Sequence, residues 1–233
     1  LRRQRQMCIR DSAQAVQLVH DGQGDVLMKG LCSTDKFLRA ILNKETGLLP
    51  PKALLSHVGI IESPNYHKLL FLTDMAVVPL PDLKQKMTLA NYVVKIARSF
   101  GIAKPKVAFI AASEQVLASM PACLEAAALA KMADRGQIKG CIADGPLALD
   151  VAIDNESVEI KKLTSPVAGD ADCLVFPNIE SANVFWKTNS KLATGVRQAG
   201  MLVGTTAPCI LASRADSVDT KLNSIAEAVM SVK

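Results

Sequence analysis

Short runs of aliphatic and β-branched residues recur between stretches of helical period, and this alternation limits the fold more than any other feature of the chain. Residues 25–29, 106–111, 141–143, 172–176 and 209–212 are such runs, and each reads as a buried strand. Between them, helices are expected from Thr34 (Phe37, Leu38, Ile41 and Leu42 inward), over 87–100, over 119–134, and over 179–199 with Gly200 as the stop. A last helix starts at Ser217, with Val218, Leu222, Ile225, Ala226 and Val229 on one face. Two further strand-like runs, 53–61 and 69–78, flank the turn Ser63-Pro64-Asn65. Strands alternating with helices predict an α/β fold, with parallel-rich sheets and flanking helices.

Composition narrows the class. Apolar residues make up 49% of 233 and aromatics only 4%, the balance of a parallel-sheet protein. The formal charge is +5, but Arg2, Arg3, Arg5 and Arg10 crowd the start, and the remainder is about neutral. No nucleic-acid surface is inferred. The six Cys are widely spaced without a CxxC pair, and there are three His, so reduced thiols in a cytoplasmic protein are expected and no metal site is. No apolar run approaches the ~18 residues of a membrane span. The first twelve residues lack the apolar core of a signal peptide. Residues 1–11 show no clear period and read as disordered or foreign to the rest of the chain; Ser12 then caps a first helix that Gly22 and Gly24 end. Gly22-Gln23-Gly24 comes after a helix, not a strand, so it is no dinucleotide fingerprint.

Polar residues gather after the strands, where α/β sheets bind ligands. Ser213-Arg214-Ala215-Asp216-Ser217 puts a hydroxyl, a guanidinium and a carboxylate on a turn between strand and helix. Taken alone, it is also an ordinary turn with a cap and a surface Arg. Ser33 and Thr34 start a helix, with Arg39 further along it; this suits a phosphate, and suits a plain cap equally. In Asp144-Gly145-Pro146-Leu147-Ala148-Leu149-Asp150, Gly then Pro predicts a turn after the strand. Its two carboxylates, Asp144 and Asp150, fit a site or simple turn chemistry. Asn183 and Lys187, four apart, share a helix face that could hold a phosphate or an acyl carbonyl, or could simply be solvated.

Taken in order, these pieces resemble the phosphate acetyltransferase and phosphate butyryltransferase family. The resemblance runs from about Ala13 to the C-terminus. It rests on Gly24-Asp25-Val26-Leu27-Met28-Lys29-Gly30, the Ser-Thr run to Arg39, Leu72-Thr73-Asp74, Pro105-Lys106-Val107-Ala108, the Asp144 to Asp150 run, Ala168-Gly169-Asp170-Ala171-Asp172, Phe176-Pro177-Asn178-Ile179-Glu180 and Ser213-Arg214-Ala215-Asp216-Ser217. The resemblance implies a two-lobed, isocitrate/isopropylmalate dehydrogenase-like fold with an interlobe cleft. It implies lobe one over 1–84 and 207–233, lobe two over 85–206, and a first strand-helix portion of lobe one, before Ala13, that this sequence lacks. The implied reaction exchanges coenzyme A and phosphate on a short-chain acyl group, with CoA as substrate, no cofactor or metal, and a homodimer as the working form.

The same resemblance implies roles at the site. Ser213 would hydrogen-bond the CoA sulfur, Arg214 would bind phosphate, and Arg39 would line the anion site. The acetyl branch carries an Asp seven residues after the Ser; here that position is Thr220, so Asp216, with Asp219 as the other choice, takes the role of base. Ser33, Thr34, Asp144, Asp150, Asn183 and Lys187 are the candidate substrate contacts. The Asp144 to Asp150 run looks like the butyryl branch, and Ala112-Ser113-Glu114-Gln115-Val116 stands where the acetyl branch usually has Ser-Thr-Lys-Gly-Ser. An acetyl-specific enzyme is the nearest alternative. Thr220 also leaves open a non-catalytic protein that binds CoA or acyl phosphate.

Overall fold

The computed structural model describes residues 2–213 and 215–232, with the backbone alone for residues 2–9. The chain divides into two compact units, residues 1–55 with 198–233, and residues 56–197. The lobes expected from the sequence divide instead at 84/85 and 206/207.

In the first unit, α1 (Arg2–His20) and α2 (Thr34–Ile41) pack together and bury Val16, Phe37 and Ile41. Its strands are β1 (Leu27–Met28), β7 (Arg197–Val203) and β8 (Cys209–Ile210), in the order β1-β8-β7. β1 and β8 run parallel; β7 and β8 run antiparallel. The final helix is α8 (Val218–Ser231), capped by the Ser217 hydroxyl, which accepts from the Thr220 N–H.

Several expectations fail here for identifiable reasons. Residues 2–11 are helical, not disordered: the stretch up to Asp21 contains no Gly or Pro and is rich in good helix formers. Ser12 therefore sits buried inside α1 and not at its start. Leu42 is the C-cap residue of α2 and faces outward. The helix expected to reach Ala199 stops at Leu192. Gly195 adopts φ +74°, a left-handed conformation open to glycine, and the chain then re-enters extended backbone as β7.

Helix α8 forms as expected, with its apolar face outward. Val218, Leu222, Ile225 and Val229 are exposed, while Ser224, Glu227 and Ala228 are buried. Hydrogen bonds orient it: the Gly200 N–H donates to Ser224 Oγ at 3.0 Å, and Asn223 Nδ2 donates to the Gln198 carbonyl at 3.4 Å. Both partners lie on β7, so the polar face docks on that strand and the apolar stripe is left outside.

The second unit has strands β2 (Ser56–Glu62), β3 (Leu70–Thr73), β4 (Lys106–Ile110), β5 (Ile142–Leu147) and β6 (Cys173–Val175). Their order is β2-β3-β6-β4-β5; β2 is antiparallel to β3, and the other pairings are parallel. The helices are α3 (Leu83–Ser99), α4 (Pro121–Asp134), α5 (Leu149–Ile153), α6 (Asn155–Lys161) and α7 (Ile179–Leu192). α3 begins earlier than its apolar period suggests, because Asp82 and Gln85 form a reciprocal capping box. Leu72, Ala108, Leu174, Val151, Phe176 and Trp186 share one buried cluster.

The turn expected at Gly145-Pro146 is strand. β5 runs through Asp144, Gly145 and Pro146, with a register shift against β4 between Ala108 and Ile110. β5 ends the strand order, so the N–H that Pro146 lacks falls on an edge. Gly145 permits the approach: a Cβ there would lie 2.7 Å from Phe109 Cβ.

At the N-terminal ends of β3, β4 and β6, charges are fully engaged. Asp170 receives His67 Nε2 at 2.7 Å, Lys68 Nζ at 2.9 Å and Lys106 Nζ at 2.8 Å. Asp172 receives Lys68 Nζ at 2.9 Å and the Lys106 N–H at 2.7 Å. Burial would raise the Asp170 carboxyl, but its hydrogen bonds from Lys106, Lys68 and His67 prevail and hold it well below the usual carboxylate range. Among the described residues the cysteines are free, and burial pushes the Cys209 thiol up to about 12. No described helix is long and apolar enough to cross a membrane.

Glu227 is the odd group in this fold. It is fully buried in α8, and among the described residues neither carboxyl oxygen has a hydrogen-bond partner. Burial pushes its carboxyl well above the ordinary value. The unfolded chain releases this proton near pH ~4.3 while the folded chain keeps it, so the group's stability contribution drains away as pH rises above that value. Glu227→Gln is expected to be more stable than the parent, by a margin that widens between about pH 5 and pH 8. Urea unfolding across that range measures it; a margin flat with pH would mean that the carboxyl ionises alike in both states.

Candidate active site

Parallel strands deliver their following loops to the same edge. β1 and β8 pair through Leu27 with Cys209 and Met28 with Ile210, and the Lys29 N–H donates to the Ile210 carbonyl at 3.0 Å. Residues 29–33, leading into α2, and residues 211–217, leading into α8, therefore leave the first unit's sheet side by side. Each loop ends at a helix N-terminus, whose backbone N–H groups favour anions.

The Ser213 turn is closed by its own residues. The Ser213 N–H donates to Asp216 Oδ2 at 2.6 Å, the Asp216 N–H to the Ser213 carbonyl at 3.2 Å, and the Ala215 N–H to Ser213 Oγ at 3.3 Å. Ser213 and Asp216 are thus brought together, both half-buried. Arg214 lies outside the described residues. Thr220 shares its N–H and its hydroxyl with Ser217 Oγ, at 3.1 and 3.0 Å, and Asp219 is exposed.

On the neighbouring loop, Ser33 is the N-cap of α2 but makes no side-chain capping bond, and Thr34 is exposed. Arg39 lies in the last turn of α2, exposed, with Nε on Asp35 Oδ1 at 3.0 Å. Beneath the loop lies Lys29, 5% exposed, whose Nζ donates to the Gly30 and Cys32 carbonyls at 3.2 Å each.

The second unit has its own edge at the C-terminal ends of β3, β4, β5 and β6. Asp74, directly after β3, is buried. It accepts from Ser56 Oγ at 2.8 Å and from the N–H groups of His57 at 3.3 Å, Ala76 at 2.7 Å, Val77 at 2.9 Å and Val78 at 3.3 Å. The loop it organises is pinned twice more. Asn183 Nδ2 donates to the Met75 carbonyl at 2.9 Å, and the Ile179 N–H to the Pro79 carbonyl at 2.9 Å. Asn183 thus braces the loop after β3, and Lys187, on the same helix, is exposed.

Asp144 and Asp150 do not flank one turn. Asp144 lies within β5, half-buried, and its Oδ1 accepts from the Gly145 N–H at 2.8 Å. Asp150 is in the first turn of α5, and Lys161 Nζ bridges it to Glu114 at 2.9 and 3.0 Å. The hydrogen bond from Lys161 lowers the Asp150 carboxyl. Among the described residues no group of His, Cys, Asp or Glu is arranged to hold a metal ion.

Comparison with known proteins sets these edges in context. The phosphate acetyl/butaryl transferase family matches residues 2–229. The chain belongs to this family. It is 51% identical over 216 residues to a phosphate butyryltransferase of Clostridium acetobutylicum, covering 93% of this chain and 71% of that protein. It is 42% identical to a phosphate acetyltransferase of Rhizobium meliloti, over 94% of this chain and 69% of that protein. Among solved structures it is similar to a branched-chain phosphotransacylase from Enterococcus faecalis V583, with a TM-score of 0.87 and 32% identity over 95% of this chain and 78% of that one. The segments that carry the family likeness in sequence sit largely at the two edges. Met28-Lys29-Gly30 and residues 213–217 lie at the first, and Thr73-Asp74 and Phe176-Pro177-Asn178 at the second.

Lys29 and Asp74 stand in the family segments of the sequence without a role of their own there, and Lys161 carries no signal in the sequence. Asp74 carried a signal, a carboxylate closing an apolar run, where burial would be intolerable without several donors. Removing its charge leaves those donors poorly matched. Asp74→Asn is expected to lose about 3 kcal/mol or more in urea unfolding, and to speed amide exchange at Ala76 and Val77. Unchanged protection at both amides would remove Asp74 as the organiser of its loop.

Proposed function

We propose that the protein is an acyl-CoA:phosphate acyltransferase that interconverts butyryl-CoA plus phosphate with butyryl phosphate plus CoA. Family membership over nearly the whole chain carries this reading. The butyryl preference is supported by the 51% identity to a phosphate butyryltransferase, against 42% to the phosphate acetyltransferase of Rhizobium meliloti.

In one direction the CoA thiolate attacks the acyl carbonyl of the acyl phosphate, the C–S bond forms, and the C–O bond to phosphate breaks. In the other, a phosphate oxygen attacks the thioester carbonyl and CoA leaves as the thiolate. A free thiol has a pKa of ~8.5, so a neighbouring base and positive charge raise the fraction ready to react. We assign Ser213 to the CoA sulfur and Arg214 to the phosphate or phosphoryl group. Asp216, held beside Ser213 by the 2.6 Å bond, is assigned as the base. Ser33, Thr34 and Arg39 follow β1, on the strand that pairs in parallel with β8, and are read as contacts to the anionic group. Asp144, Asp150, Asn183 and Lys187 are read as substrate-side residues of the second unit, Asn183 acting through the loop it braces. Both substrates are anions, and holding them in register is worth more to the rate than any covalent participation by the protein. CoA is a substrate here, and no cofactor or metal enters the scheme. The working form is read as a cytoplasmic homodimer, the free thiols suiting a reducing compartment.

The full-length protein is expected to release CoA from butyryl-CoA only when phosphate is present, and to use acetyl-CoA less well. Faster turnover of acetyl-CoA would make it an acetyl-specific enzyme; CoA binding by calorimetry without turnover would make it a non-catalytic binder. Arg214→Ala is expected to lower kcat/KM about 100-fold or more. A near-normal rate would remove Arg214 from the site.

A further inference from the structure

Lys29 is a buried cation whose place in the chemistry is unassigned. Its side chain is almost wholly shielded, and its two hydrogen-bond partners, the Gly30 and Cys32 carbonyls, are neutral. Among the described residues no carboxylate lies within ion-pair distance of it, although Lys68, Lys86, Lys106 and Lys161 all have one. A buried charge without a counter-charge is costly, and such charges are normally paired or bound to a ligand of opposite sign.

The position of the ammonium sharpens the point. A trans peptide directs its C=O and its N–H to opposite sides. With the Gly30 and Cys32 carbonyls turned in toward Nζ, the N–H groups of Leu31 and Ser33 are turned away from it, toward the outer side of the loop. Lys29 is also tied to the other wall of the edge, through its own N–H on the Ile210 carbonyl, three residues before Ser213.

We propose that Lys29 is a positioning residue for the phosphate-bearing substrate. Its ammonium fixes residues 30–32 from beneath and gives the loop a positive charge that bound phosphate, or the phosphoryl group of an acyl phosphate, neutralises. This rests on the acyl exchange read above. Lys29 touches the loop, and the loop touches the phosphate.

The test compares Lys29→Gln, which keeps hydrogen-bond donors and loses the charge, with Lys29→Arg, which keeps both. In phosphate-dependent CoA release from butyryl-CoA, Lys29→Gln is expected to raise KM for phosphate about tenfold or more, the scale of one unit charge acting at short range through protein. KM for butyryl-CoA should stay within about twofold, and Lys29→Arg should recover most of the phosphate affinity. An unchanged phosphate KM, or equal changes in both KM values, overturns the proposal. If Lys29→Gln does not fold, the wild-type protein decides. Its Lys29 15Nζ resonance, identified by its absence from Lys29→Arg, should move when inorganic phosphate is added; no movement at saturating phosphate overturns the proposal. A wild-type protein with no phosphate-dependent release would sink the acyltransferase reading instead, and the resonance would still report whether Lys29 senses the anion.

Discussion

Two residue pairs in register, Leu27 opposite Cys209 and Met28 opposite Ile210, decide which loops of the first unit meet at one edge. The strands come from distant parts of the chain, and their ladder is only two pairs long. Because it is parallel, both loops that follow it leave from the same edge, and both feed a helix N-terminus. An antiparallel pairing of the same residues would have sent Ser33 and Ser213 to opposite ends of the sheet. The buried ladder residues, Leu27, Cys209 and Ile210, matter to function through direction alone.

The second unit solves a related problem with a carboxylate. Asp74 gathers donors from β2 and from its own loop, and that loop in turn receives Asn183 and caps the start of α7. The polar groups after β3 and β6 thus become one hydrogen-bonded piece. A loop tied down in this way suits the proposed exchange, in which the reacting atoms of two anions have to be held together.

Much of this was legible in the residues. Buried strands such as β4 and β6 announce themselves as continuous apolar runs, and Ser217 announces α8 through its cap. The failures have specific causes. Apolar period alone does not say which way the α8 stripe faces; the hydrogen bonds that Ser224 and Asn223 make to β7 set it outward, and a one-dimensional pattern cannot register them. Gly145-Pro146 read as a turn because both residues usually make one; at an edge strand closely packed on Phe109 they extend instead. β7 is hidden in the sequence because the helical pattern of α7 runs on past Gly195 to Gly200. At the site, the hydroxyls and carboxylates stood out by type and spacing. Lys29 did not, since a lysine at the end of an apolar run looks like the solvent end of a strand until its burial is seen.

β6 is only three residues long and buried throughout. Such a segment carries little information about its own alignment, because an apolar strand buried on both faces can slide along its neighbours without exposing anything polar. The carboxylates just before it supply that information. Asp170 and Asp172 are two residues apart, and both are held by Lys68, just before β3, and by Lys106, at the start of β4, through different atoms. A slip of one residue in either direction would strand both. The charged edge opposite the candidate site thus acts as an address label, specifying which of several equally greasy alignments is the native one.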